Sequence, residues 1–324
     1  MISRTEDRDH GYEAKAEVSE GTMEWIKQQA AGRCQIVQID PLKGGISSAV
    51  YAVHLQIDGE TLHWVMRQYT DKAWLGLEPD LAVFESEALQ SVRTMGIFAP
   101  EWIAADYWGE YCGHPTILMS KVPGEVELRP KSMEVWLTDL GRTLAILHLN
   151  GSKSKIFLPR TYRTYNQISD LKVPKWSKCP LAWERIIHIL KDPQRIPEYT
   201  PQLIHRDYHP ANVLWNQGEV SAVVDWVNAC MGPAGIDTGH CRLNLVQLYG
   251  VQAADHFLSA YLEALGENRE AANPYWDMLS LIEILPGPPE VYRGWTDLGY
   301  NELSPELIAE RLDEYAESLL NRRY

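Results

Sequence analysis

A chain of 324 residues, 45% hydrophobic and 23% charged, can bury one large core or two, which excludes a disordered polymer, a fibrous repeat and a disulfide-stapled miniprotein. Its net charge of −14 argues against a nucleic-acid partner, whose phosphates it would repel. Cys34, Cys112, Cys179, Cys230 and Cys241 are odd in number and lack C-x-x-C spacing, which points to a reducing compartment.

The opening MISRTEDRDHGYEAK is polar and acidic, unlike a signal or transit peptide, and no apolar run approaches the ~18 residues of a membrane span. A cytoplasmic protein without a membrane partner is therefore expected. Residues 1–21 read as a peripheral tail, and a helix is predicted over Met23–Ala31. Strands follow at CQIVQI (34–39), SAVYAVHLQI (48–57) and TLHWVMRQY (61–69), with Asp58–Gly59 as a tight hairpin turn between the last two. A helix over Asp80–Met95 carries Leu81, Phe84, Ala88, Leu89 and Val92 at three- and four-residue spacing. Strands WIAAD (102–106) and TILMSKV (116–122) complete an antiparallel sheet with one inserted helix.

Pro123–Gly124 marks a break, and helical periodicity dominates beyond it. Ser132 caps a helix through Leu149, and another is predicted at 181–191. Residues 203–227 read as a small hairpin, and helices are expected at 240–265, 275–284 and 305–321. The resulting picture is α+β: a sheet lobe over 22–121 and a larger, mainly helical lobe over 122–324, with a ligand cleft between them.

The densest polar cluster is LIHRDYHPANVLW, 203–215, followed by VVDW with Asp225. A carboxylate at Asp207 can accept or orient a hydroxyl proton. The amide of Asn212 and carboxylate of Asp225 offer oxygen ligands to a hard divalent ion. That combination suits phosphoryl transfer, in which a protein mostly positions groups and neutralises charge. The stretch LKGGISSAVYAV, 42–53, places Gly44, Gly45, Ser47 and Ser48 in a turn able to approach phosphates, although no GK[ST] makes it a P-loop. Arg67, mid-strand and apolar-flanked, needs an acidic or phosphate partner, for which Glu87 on the following helix is the expected choice.

These motifs resemble the aminoglycoside phosphotransferase family, small-molecule kinases with the two-lobed protein-kinase-like fold, over nearly all of residues 40–320. H-R-D-Y-H-P-A-N-V-L-W followed by V-V-D-W is the most specific part. The resemblance implies Asp207 as the catalytic aspartate, with Asn212 and Asp225 completing the catalytic set and holding Mg2+. It implies ATP or GTP as co-substrate, covered by Leu42–Tyr51. Arg67 stands where many relatives use lysine, paired with Glu87. ILMSKVPGE, 117–125, matches the hinge, which adds Met119, Lys121 and Val122 to the nucleotide contacts. Asp237, in GPAGID, is expected to tie loops together, and His148 to be a bonded core histidine. The acceptor is a small hydroxyl compound. Carboxylates Asp255, Glu263, Glu267, Glu270, Asp277 and Glu283, with aromatics including Tyr249, Tyr261 and Tyr292, suit a cationic or amino-sugar-like one. A monomer or homodimer is expected.

Two other readings compete. His205, Asp207 and His209 form H-x-D-x-H, which has metal-ligand spacing and would suit a metal-dependent hydrolase. A nucleotide-binding, non-catalytic kinase-like protein is the other.

Overall fold

The computed structural model describes residues 18–30, 34–42, 48–153, 158–164, 166–266 and 270–321. The expectations for residues 1–17 and for Gly44, Gly45 and Ser47 lie outside the described residues. The chain divides into two compact units, one running to Thr94 and adding Phe98–Val122, the other made of Met95–Ile97 and the chain from Pro123.

The first unit opens with α1 (Glu20–Gln29), capped by the Ser19 hydroxyl, which accepts from the Thr22 N–H at 3.1 Å. Its sheet comprises β1 (Cys34–Pro41), β2 (Ala49–Ile57), β3 (Glu60–Gln68), β4 (Trp102–Asp106) and β5 (Thr116–Ser120), antiparallel in the order β1-β2-β3-β5-β4. Asp58 (φ 49°) and Gly59 (φ 91°) turn β2 into β3, as their chemistry predicts. Alternation delivers Val53, Leu55, Met66 and Leu118 to one core, closed by Trp25 and Ile26 of α1. A short helix absent from the sequence reading, α2 (Lys72–Leu77), is capped by Asp71. The main helix, α3 (Leu81–Thr94), lies against β4 and β5, and Trp102 Nε1 donates to Ser86 Oγ at 3.0 Å.

The second unit is mainly helical. It holds β6 (Glu125–Val126), α4 (Met133–Lys153), α5 (Pro180–Lys191), β7 (Gln202–Ile204), β8 (Val213–Asn216), β9 (Glu219–Val223) and β10 (Cys230–Gly232). Then come α6 (Gly235–Tyr249), α7 (Val251–Leu265), α8 (Pro274–Leu281), α9 (Arg293–Asp297) and α10 (Pro305–Asn321). α4 packs closely on α7 because Gly141 has no side chain; a Cβ there would lie 2.7 Å from the Phe257 carbonyl oxygen. α6 is buried along nearly its whole length. It carries Arg242, a fully buried cation held by Asp255 (2.8 Å) and Asp277.

Two expectations need correction. The helix predicted over 240–265 is two helices, because Gly250 at φ 89° breaks the run. The 203–227 stretch is not one hairpin. β8 and β9 pair with each other, with β6 on the outer side of β8, whereas β7 pairs with β10. β10 is only three residues long, too short for alternation to reveal it.

Candidate active site

In the second unit β7 ends at Ile204 and the chain turns sharply. His205 is fully buried, and Arg206 adopts φ 68°, a left-handed conformation costly for any residue with a Cβ. Asp237, at the start of α6, holds that turn. Its Oδ1 accepts the Arg206 N–H at 2.6 Å, and its Oδ2 accepts the His205 N–H at 2.8 Å. His148 Nε2 lies 3.0 Å from the same Oδ2, and its Nδ1 is 2.8 Å from the Tyr261 hydroxyl. The carboxylate can only accept, so Nε2 directs an N–H at Asp237, and Tyr261 holds the other ring nitrogen. Asp237 and His148 thus brace the loop from within the core.

His205 links the loop to the turn that follows β9. Its Nε2–H donates to the Val224 carbonyl at 2.9 Å, and its Nδ1 accepts the Asp207 N–H at 3.3 Å. Both ring nitrogens are therefore engaged, and the ring rests on Trp226 with centroids 4.6 Å apart.

Asn212 and Asp225 are brought together by backbone pairing. The Asn212 carbonyl accepts the Val224 N–H at 2.9 Å, continuing the ladder in which Val213 faces Val223. Asp225 then turns out of the strand at φ 67°, ψ 61°. Asn212 Nδ2 donates to the Asp207 carbonyl at 2.9 Å and lies 3.4 Å from its Oδ2. Because the nitrogen is committed to Asp207, the amide is oriented with Oδ1 on its other side. An amide oxygen and a carboxylate from positions joined in this way are hard donors of the kind that could hold a magnesium ion, with water and phosphate oxygens supplying the rest.

The Asp207 side chain keeps 26% exposure, the Oδ1 within 3.0 Å of His240 Nε2. Sequence reasoning missed His240. It lies three residues after Asp237, hence on the same face of α6, and that spacing was the available signal. The other ring nitrogen, Nδ1, is 3.4 Å from Glu283 Oε2. Burial disfavours charge on His240, but hydrogen bonds to Asp207 and Glu283 outweigh it and raise its pKa to about 10. Burial likewise opposes ionisation of Asp207, but the His240 hydrogen bond prevails and holds the carboxyl well below its usual range. His209 is opposite: burial lowers it to about 4, leaving a neutral ring.

Asp207, His209 and His240 are close enough to hold an ion, their ligand atoms lying within 4.8 Å of one another. Yet an imidazole facing carboxylates on both nitrogens is a donor twice over, hence a cation rather than a ligand. His205, the expected first member of H-x-D-x-H, has no free nitrogen.

In the first unit Arg67 is 6% exposed, and its Nη1 donates to Glu85 Oε1 at 3.1 Å and Oε2 at 3.3 Å. Its Nε donates to Ser48 Oγ at 2.8 Å, and the Tyr69 hydroxyl donates to Glu85 Oε2. The partner is thus Glu85, not the expected Glu87, which is half-buried on another side of α3. Two residues turn a helix by about 200°, so both cannot face Arg67. Glu85 lies four residues after Leu81 and four before Leu89, within the apolar stripe; a carboxylate there needed a buried cation. Met119 is buried on β5 opposite Val65, the Lys121 N–H donates to the His63 carbonyl at 3.0 Å, and Val122 is the last residue of this unit.

The sequence model described as the phosphotransferase enzyme family matches residues 38–275, well over half of the chain. The chain belongs to that family. It is an enzyme, a kinase-like phosphotransferase, and its N-terminal antiparallel sheet with a helix and larger helical C-terminal part are the two lobes of the protein-kinase-like fold. Solved structures agree on the fold. A candidate aminoglycoside phosphotransferase from Ralstonia eutropha shares 17% identity, with 92% of this chain and 98% of that one covered and a TM-score of 0.57. The macrolide 2'-phosphotransferase of Brachybacterium faecium shares 16%, covering 93% and 99%, with a TM-score of 0.55. A choline/ethanolamine kinase family protein from Mesorhizobium loti shares 13%, covering 93% and 95%, with a TM-score of 0.57. No curated protein matches the sequence significantly. No described helix is long and apolar enough to cross a membrane.

Proposed function

We propose that this phosphotransferase moves the γ-phosphoryl group of ATP or GTP to a hydroxyl of a small molecule. The observation that carries the reading is the Asp207–Asn212–Asp225 arrangement. The Asn212 amide nitrogen donates to the Asp207 backbone carbonyl at 2.9 Å and lies 3.4 Å from its carboxylate, and the Asn212 backbone pairs with Val224, the residue before the second carboxylate, Asp225. Asp207 orients the acceptor hydroxyl and takes its proton. The acceptor oxygen bonds to the γ-phosphorus as the bond from phosphorus to the β,γ-bridging oxygen breaks. Asn212 and Asp225 would hold Mg2+, which when bound supplies positive charge to the phosphate oxygens.

In this reading residues 22–121 form the nucleotide-binding lobe and 122–324 the catalytic and acceptor-binding lobe. Gly44, Gly45, Ser47, Ser48, Arg67, Met119, Lys121 and Val122 serve the nucleotide, with Glu85 taking the role first given to Glu87. The acceptor is a cationic, aminoglycoside-like or related alcohol. Support comes from the acidic chain after residue 200 and from the named relatives, associated with aminoglycosides, a macrolide and choline or ethanolamine. Asp255 and Asp277 drop out of the acceptor set because they neutralise Arg242. Glu283 and Tyr292 stay in it: Glu283 is tied to Asp207 through His240, and the Tyr292 ring is 6.4 Å from that of His209. A cytoplasmic monomer or homodimer without nucleic-acid partners completes the proposal.

The test is thermal shift with nucleotides and Mg2+, followed by ADP or GDP release over amino-sugars, macrolides and amino alcohols. Magnesium-dependent stabilisation and acceptor-dependent release are expected. Zinc-dependent hydrolysis without nucleotide turnover would establish the hydrolase instead, and nucleotide binding without turnover on any acceptor the non-catalytic protein.

A further inference from the structure

His240, which links Asp207 to Glu283, has no part in the proposed transfer. The three residues come from separate segments: the loop after β7, the body of α6, and the turn following α8. Each is fixed independently. Asp237 ties the loop backbone to α6 one turn before His240. Gly239 lets α6 approach α8 closely, since a Cβ there would lie 2.7 Å from both the Trp276 carbonyl oxygen and Ser280 Oγ. Glu283 follows α8 directly and reaches His240 Nδ1 at 3.4 Å. The imidazole therefore sits in a rigid bracket and spans two carboxylates.

We propose that His240 is a positioning residue of the reaction: gripped by Glu283, it engages Oδ1 of Asp207 and so presents Oδ2 to the acceptor hydroxyl. The proposal rests on the reading of Asp207 as the group that receives the acceptor's proton. Aspartate has two rotatable bonds and 26% of this side chain is exposed, so without an anchor its carboxylate would sample several directions. The Oδ1–Nε2 contact of 3.0 Å is its shortest side-chain contact, whereas the Asn212 amide stands 3.4 Å from Oδ2 and leaves room for another donor. Transfer then moves the acceptor proton to Oδ2, and His240 keeps both of its own.

Electrostatics agree with this role. Among the described residues, the charged or titratable groups facing His240 are Asp207 and His209 from the loop and Glu283 from the turn after α8. His209 is neutral near pH 7, so two carboxylates act on the ring and keep it cationic. A cation beside Asp207 weakens it as a base. That cost is tolerable in phosphoryl transfer, whose loose transition state asks the aspartate to orient the hydroxyl more than to deprotonate it early. Alignment of the attacking oxygen is what a misdirected carboxylate would lose.

The test uses the full chain. The 15N resonances of His240, identified by their loss in His240→Gln, are followed with pH in the wild type and in Glu283→Gln. A doubly protonated ring at pH 8 is expected, with the Glu283→Gln titration lowered by about one unit or more. In parallel, kcat is measured with MgATP and the best acceptor of the panel above, and nucleotide affinity by calorimetry. His240→Gln should lower kcat about 10–100-fold and leave the MgATP Kd within about twofold. Glu283→Gln, a milder change at a partly exposed site, should show the same split to a smaller extent. A neutral His240 at pH 8, or wild-type kcat in His240→Gln, overturns the proposal. Asp207→Asn is the reference: if it stays active, the reading beneath the proposal has failed; if it is inactive while His240→Gln is fully active, only the positioning role has.

Discussion

Arg67 and Glu85 form an ion pair at 3.1 Å between the third strand and the main helix of the first unit, with side chains only 7% and 1% exposed. The guanidinium also donates to Ser48, and the carboxylate accepts from Tyr69, so the charges are shared among several hydrogen bonds. Such a pair offsets its desolvation only while intact, and removing one partner strands the other. Glu85→Ala should therefore destabilise the protein by about 3–5 kcal/mol, and Glu87→Ala by less than ~1 kcal/mol. Urea denaturation of both variants checks this, and equal losses would refute the predicted difference.

The location of Glu85 also shows what was legible in the sequence. The period of α3 was plain from Leu81, Ala88, Leu89 and Val92, and the two-lobe division followed from the change of periodicity near Pro123. The order of pairing was not, because β7 and β10 are three residues each and meet only through tertiary packing. The motif residues Asp207, Asn212 and Asp225 could be picked out because polar groups in an apolar stretch are costly unless used. Their helpers were harder. His240 and Glu283 lie 33 and 76 positions beyond Asp207, and nothing local joins them. Charge also misled: Asp277 looks like an acceptor ligand in sequence, but the structure commits it to the buried Arg242.

Asp237 holds two consecutive backbone N–H groups and faces His148 from a fully buried position. Asp237→Asn keeps the shape but turns one acceptor into a donor against a backbone N–H. The loss should be about 2–3 kcal/mol, from a charge-assisted bond exchanged for an unmatched donor. Since the same bonds hold Arg206 in its left-handed turn, kcat should also fall. Thermal unfolding and steady-state rates of one preparation measure both. A variant with full kcat and lowered stability would show that the loop keeps its geometry without this carboxylate.

The His240 bracket also makes stability depend on pH. Its folded pKa, about 10, lies above the ~6.5 of an unfolded histidine, so folding favours the charged form. The sign follows: the contribution is complete below about pH 6.5 and is lost as pH rises through 10. Wild type should exceed His240→Gln in unfolding free energy at pH 6, and the gap should shrink by about 1–3 kcal/mol by pH 10.5. Using the difference between the two proteins removes the titration of surface lysines and tyrosines. A gap constant across that range would mean the ring is neutral throughout.

Under the proposed function Asp207 serves the acceptor and Asp225 the metal, so the two should separate kinetically. Asp207→Asn retains the volume and the contact with Asn212 but can no longer take a proton. It should leave Mg-nucleotide affinity nearly unchanged and lower kcat by about 10²–10⁴-fold. Asp225→Asn removes the charged member of the proposed magnesium pair while the Asn212 carbonyl keeps the Val224 N–H. It should weaken metal-dependent nucleotide binding as well as turnover, and raising the Mg2+ concentration should restore part of the loss. If both carboxylates were merely structural, both variants would chiefly lose stability and neither would show this split. Calorimetry of Mg-nucleotide binding, denaturation and acceptor-dependent rates on the same folded samples distinguish the cases. Near-wild-type kcat in Asp207→Asn with a good acceptor would remove its catalytic role and leave the magnesium site to stand on Asn212 and Asp225 alone.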